Sequence, residues 1–197
     1  MSMKIESQND FGKLFAFVYW PLATIVGWIL GYLFFSILPR DFLMKSMIQN
    51  FAATMFWSNV LLTFGLGIFV GAFQEFIIRK TFLRTVWWTV ATALGLSIGA
   101  AINIIFIGAG VGIFQWLLLR QRVDKAWWWI FICAIVWVLG YGIGTSIGFK
   151  IESEIGNPVL ARAIGSAISG IIVGFTGGIT LFRLSKQRRL QVSENLI

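Results

Sequence analysis

The chain has 197 residues, 58% of them apolar and 12% charged, with a mean hydropathy of +0.83. Soluble domains carry about 25% charged residues, so this composition excludes an ordinary soluble fold. A net charge of +8 comes with no histidine and a single cysteine, Cys133. That excludes a disulfide framework and a thiolate metal cluster, and it removes the commonest metal ligand and general base near neutral pH.

Five stretches, 14–39, 46–74, 85–119, 126–149 and 163–182, contain no Asp, Glu, Lys or Arg. A bilayer-crossing helix needs about 20 apolar residues, so four stretches hold one span each and 85–119 holds two short ones. The expected fold is an all-α integral membrane protein with six transmembrane helices. Residues 1–13 read as a cytoplasmic N-terminal segment, and helix 1 follows at 14–38. Its apolar run is too long for a cleavable leader and has no small-residue cleavage site after it, so it reads as a signal anchor. Apolar and polar residues alternate at spacings of three and four over 41–55, which predicts an amphipathic helix lying in the interface. Helix 2 is expected at 56–79, helix 3 at 86–101 and helix 4 at 104–120, with Asn103 at the turn between the last two. Each of that pair is near the lower limit for spanning. Helix 5 is expected at 126–148, then an outer loop at 150–162, helix 6 at 160–183, and a basic cytoplasmic tail at 184–197. The transmembrane domain as a whole is 14–183.

Placing the N-terminus inside puts twelve basic residues on one side and four, Arg40, Lys45, Lys150 and Arg162, on the other. This bias sets both termini in the cytoplasm. The basic excess is then a topology signal with some attraction to anionic headgroups, and no soluble reading element accompanies it, so no nucleic-acid partner is expected.

One pattern occurs twice. Gly67-x3-Gly71-x2-Gln74-x4-Arg79 returns as Gly108-x3-Gly112-x2-Gln115-x4-Arg120, each followed by a basic turn and a run of tryptophans. Odd helices share an opening: Tyr19-Trp20-x6-Gly27-x3-Gly31 matches Trp87-Trp88-x6-Gly95-x3-Gly99. Helix 5 carries glycines at Gly140, Gly144 and Gly148, and helix 6 has Gly170 and Gly174, with Gly177 where glutamine stands in helices 2 and 4. The expected arrangement is three parallel two-helix repeats. Glycines four apart let helix backbones approach closely in lipid, so each pair reads as a groove for packing within the fold; the alternative leaves one groove for a partner, with helix 6, richest in small residues, as its candidate. Tryptophans at the starts of helices 3 and 5 suit the headgroup belt, with stacking on a ring ligand as the alternative. Gln74 and Gln115 read as polar clamps between helices. Glu75, the one acid inside a predicted span, is expected to pair with Arg79 at i+4.

No nucleophile stands beside a base, no phosphate loop sits between strand and helix, and Asp10, Asp41 and Asp124 all lie outside the spans. An enzyme is not expected, nor is a metal. The runs GIFQWLLLRQR…WWW and GAFQEFIIRK…WW resemble a group of bacterial multi-span membrane proteins that repeat a Gly-x3-Gly-x2-Gln-Trp-Leu-x-Leu-Arg helix with a Trp-Trp helix. The likeness covers residues 65–145, with Glu75 in place of tryptophan in the first copy, and it brings a bacterial membrane location but no activity. The expected role is an accessory or assembly subunit that acts through helix–helix association, with membrane lipids and other membrane-protein helices as partners and a lipid or apolar pigment as ligand. The alternative is a small transporter or the substrate-capture subunit of an importer.

Overall fold

A computed structural model describes the backbone of residues 12–36, 50–81, 83, 85–123 and 125–194. Among the described residues six α-helices form: α1 (Trp20–Ser36), α2 (Phe51–Thr81), α3 (Trp88–Ile102), α4 (Ile107–Leu119), α5 (Trp128–Ile155) and α6 (Pro158–Glu194). There is no strand among them. Four stretches of the described residues are long and apolar enough to cross a membrane: Gly12–Phe34, Phe51–Lys80, Trp128–Ile155 and Pro158–Leu184.

Each helix packs against its neighbours in sequence, and α6 returns to pack against α1, so the six close into a ring. The backbone is already helical at Gly12 and widens into a π turn over Phe15–Tyr19, where the Trp20 N–H bonds the Phe15 carbonyl. Pro21 explains the wide turn. It cannot donate to the carbonyl four residues back, and a helix absorbs the missing bond by local unwinding.

The turn between α3 and α4 falls at Asn103, as the sequence suggests. Its backbone is extended (φ −170°), and its Oδ1 accepts a hydrogen bond from the Ile105 N–H at 3.1 Å, opening a 3-10 turn over Ile104–Phe106. At 1.5 Å per residue, the 15 residues of α3 reach about 22 Å, against a hydrocarbon layer of about 30 Å. The α3–α4 hairpin is thus markedly shorter than its neighbours α2 and α5, of 31 and 28 residues.

Three expected boundaries are corrected. Helix α2 begins at Phe51, so 51–55 belong to it rather than to an interfacial helix; residues 41–49 of that predicted helix lie outside the described residues. The outer loop expected at 150–162 is almost wholly helical. Helix α5 runs on to Ile155, Gly156 closes it in the left-handed conformation (φ 71°), and Asn157 Oδ1 accepts the Leu160 N–H at 3.1 Å to start α6 on Pro158. Charged residues there mark a change in the helix's composition, not where it stops. Lys150, Glu152 and Glu154 are good helix formers, and Glu152 also bonds Arg162 across the turn at 3.2 Å. By the same logic α6 continues through Arg183 to Glu194, into the segment expected as a tail. The N-terminal segment expected at 1–13 lies outside the described residues apart from Gly12 and Lys13.

Candidate functional site

At the centre of the ring, three helices present an inward stripe at i, i+4 and i+8: Trp20, Thr24 and Trp28 on α1, Trp88, Thr92 and Leu96 on α3, and Trp129, Cys133 and Trp137 on α5. All nine are buried. Trp20 meets Trp88 edge to face, and Trp88 meets Trp129 at a tilt of 56°. Ring centroids lie 5.7 Å apart for Trp20 and Trp88 and 6.4 Å apart for Trp88 and Trp129, within the range of favourable aromatic pairs.

Two glutamines tie this stripe together. Gln74 of α2 donates through Nε2 to Thr24 Oγ1 at 2.9 Å, and its Oε1 accepts from Trp88 Nε1 at 3.1 Å. Gln115 of α4 repeats the arrangement, donating to Thr92 Oγ1 at 2.9 Å and accepting from Trp129 Nε1 at 2.9 Å. Each threonine hydroxyl donates to the carbonyl four residues back, Thr24 to Trp20 and Thr92 to Trp88. That leaves its lone pairs free for the amide. One side chain thus bonds both flanking helices, and every polar atom in the clamp is satisfied, as burial requires.

The third position differs. Helix α6 has Gly177 and α5 has Cys133, so neither amide nor hydroxyl is present. Trp20, the indole facing this position, is 1% exposed. A Cβ built on Gly177 lies 3.0 Å from its Nε1. A cavity of about 20 Å³ fills the place of the missing side chain, lined by Trp20, Gln74, Gln115, Trp129, Cys133 and Gly177 among others. Such a volume holds about one water. Two turns further along α1, Trp28 Nε1 is buried without a partner, its ring 5.3 Å from that of Trp137.

The predicted glycines are all drawn into contacts within the ring. A Cβ at Gly67 or Gly71 would meet Ala93 or Thr89 Cα at 2.5 and 2.7 Å, and one at Gly112 would meet Ile130 Cα at 2.8 Å. Gly108 lies against the Cys133 carbonyl. Gly27 and Gly95 face Val70 and Val111, each Cα at 2.6 Å, while Gly31 faces Leu66 and Gly99 faces Ile107. Helix α5 meets α6 with Gly140 against Val173 and Gly144 against Ser169 and Gly165, so small residues come from both partners there. The alternative of a free groove on α6 is overturned. Gly170 and Gly174 receive Ile25 and Pro21 of α1, both at 2.7 Å, because ring closure uses the same positions that Gly67/Gly71 and Gly108/Gly112 use.

Glu75 does more than pair with Arg79. Its Oε1 is 3.7 Å from a half-exposed Arg79, while its Oε2 accepts from both the backbone N–H and the hydroxyl of Thr89 at 3.0 Å. Thr89 is in the first turn of α3, where N–H groups lack helical partners, so this carboxylate caps α3 from the neighbouring helix. Arg120 is exposed and stacks over the Trp116 ring at 5.2 Å. Asp124, four residues on and in reach by sequence, lies outside the described residues.

The tryptophan runs divide between two roles. Trp87, Trp127 and Trp128 are exposed, as a belt requires, but Trp88 and Trp129 are core residues. The partners of the glutamines were therefore the functional residues hardest to find in advance. Their signal is present all the same: Trp20-x3-Thr24 and Trp88-x3-Thr92 share a register that Trp129-x3-Cys133 preserves only in part. Among the described residues no three His, Cys, Asp or Glu side chains converge as a metal site would require. No protein-family model, curated protein or solved structure matches the chain.

Proposed function

We propose that the chain is an integral protein of a bacterial membrane, built as three parallel two-helix repeats with both termini in the cytoplasm, and that it serves as a non-enzymatic accessory or assembly subunit. The observation that carries this reading is where the close-approach residues and buried amides are used. Gly67, Gly71, Gly108, Gly112, Gly170 and Gly174 hold the next helix of the ring, and Gln74 and Gln115 each bond the two flanking helices. A core so committed supports a rigid body rather than a passage. Polar side chains elsewhere in the spans fit that view, since the Thr63, Thr145 and Thr180 hydroxyls bond carbonyls of their own helices instead of converging as a solute path needs.

The outer surface carries the association. Large apolar residues are exposed along α2 (Trp57, Leu61), α5 (Phe131, Ile135, Phe149) and the hairpin tip (Ile102, Ile105). In water so much exposed apolar surface is untenable, but in a bilayer it is the normal face towards lipid and partner helices. Extraction in mild detergent followed by native mass spectrometry tests the role. A stoichiometric partner polypeptide supports it, and a bare monomer after gentle extraction from its own membrane refutes it.

A further inference from the structure

A groove of about 510 Å³ opens on the outside of the ring between α1 and α2. Leu22, Ala23 and Val26 form one wall and Ala72, Phe73 and Phe76 the other. Its size is within the range of small-ligand sites, yet its lining supplies almost no polar atom apart from the Tyr19 hydroxyl.

The chain contains its own comparison for this groove. The register that aligns Gly71 with Gly112 and Gly174 places Ala72 with Ile113 and Phe175. Likewise, the register of Trp20, Trp88 and Trp129 places Ala23 with Ala91 and Ile132. Ile113 and Phe175 are both exposed on the ring exterior, so bulky side chains cover the corresponding places between α3 and α4 and between α5 and α6. Only the first pair has alanine on both walls.

Charge marks one end of the groove. Lys80 Nζ lies 4.0 Å from the centroid of the Phe76 ring, so an ammonium sits at the rim of an apolar slot. Arg79 is adjacent in sequence and exposed, and Lys13, also exposed, lies towards the same end of α1. The acid in this region, Glu75, is turned to Thr89 and Arg79. An apolar trough ending in cations is complementary to an acyl chain ending in an anionic headgroup.

We infer that this groove is a binding site for one anionic phospholipid, with an acyl chain between Ala23 and Ala72 and the phosphate at Lys80. The inference rests on the membrane reading above. The test is native mass spectrometry of detergent-solubilised protein titrated with phosphatidylglycerol or phosphatidylcholine of matched chains. The wild type is expected to hold one phosphatidylglycerol about fivefold more tightly than phosphatidylcholine, the preference one basic residue at a membrane surface provides. Ala72→Phe, which installs the residue the chain itself carries at 175, is expected to weaken both lipids at least fivefold. Its side chain starts from an exposed position, so the fold is retained. Lys80→Gln is expected to remove the preference while leaving an acyl chain bound. Equal binding of both lipids by the wild type, or unchanged binding by Ala72→Phe, overturns the inference. So does a chromophore or a polypeptide copurifying with the wild type and lost from Ala72→Phe. If the protein resists an alkaline carbonate wash of its membranes and any of these results is found, this inference alone fails; release by the wash sinks the membrane reading with it.

Discussion

Replacing Gln115 with leucine tests whether the amide clamp holds the ring together. Leucine is close to glutamine in volume, so the change opens little cavity and reports mainly on hydrogen bonds. Two bonds are lost, to Thr92 Oγ1 and from Trp129 Nε1, both at 2.9 Å. Thr92 keeps its bond to the Trp88 carbonyl, but the indole N–H of Trp129, 2% exposed, loses its acceptor. In a soluble core two such bonds plus one stranded donor amount to about 2–5 kcal/mol. Between membrane helices, measured interhelical bonds average about 0.6 and reach about 1.7 kcal/mol. The expected loss for Gln115→Leu is therefore about 1–3 kcal/mol, read by titrating SDS into protein held in mild detergent. A cycle with Trp129→Phe separates the bond from packing, with an expected coupling of about 0.6–1.7 kcal/mol. A loss below about 0.5 kcal/mol, or identical effects of Trp129→Phe with and without Gln115, refutes the claim that the clamp is an energetic joint.

Gly108→Ala places a methyl against the Cys133 carbonyl and 2.7 Å from Trp137 Cβ. The same titration is expected to show a loss of about 1–3 kcal/mol from overpacking, while Gly142→Ala, with nothing within 4 Å of its Cβ, leaves stability within about 0.5 kcal/mol or slightly raises it. Glu75→Ala is expected to cost about 1–2 kcal/mol through loss of the cap on α3, whereas Arg79→Ala, at a half-exposed partner 3.7 Å away, costs under about 1 kcal/mol; equal effects contradict the capping geometry. Asn103→Cys probes the depth of the hairpin against little background, because Cys133 is buried. In intact membranes an impermeant maleimide is expected to label it much more slowly than Asn157→Cys, since α3 reaches about 22 Å into a layer of about 30 Å.

Much of the architecture was legible as pattern. Charge-free runs mark six helices, the Asn103 turn interrupts the one run too long for a single span, and the 41-residue offset brings Gln74 and Gln115 into like environments. What the pattern could not carry depends on partners. A glycine pair promises close approach but does not name the helix that approaches, so Gly170 and Gly174 stayed candidates for a partner until α1 was found in their groove. Adjacent tryptophans are equally apolar, and only the helix register shows that Trp88 turns inward while Trp87 stays at the surface. Charge density misled at 150–155 because it reports the surroundings of a helix and not its continuation.

The junction where the chain must close on itself belongs to α6, the even helix without a buried glutamine. Gln74 joins α2 to α1 and α3, and Gln115 joins α4 to α3 and α5, all neighbours along the chain. Closing α6 onto α1 brings together segments more than 120 residues apart in sequence, and there Gly177 and Cys133 supply neither amide nor hydroxyl. Close backbone packing takes the place of the clamp: Ile25 on Gly170, Pro21 on Gly174 and the Ala16 carbonyl on Gly178. These contacts are short-ranged dispersion and need close fit but no polar partner to be found first. The joints clamped by Gln74 and Gln115 can therefore form locally and set the register of the indoles, while the last joint closes by shape alone. That division explains how α6 can lack a glutamine and still complete the ring.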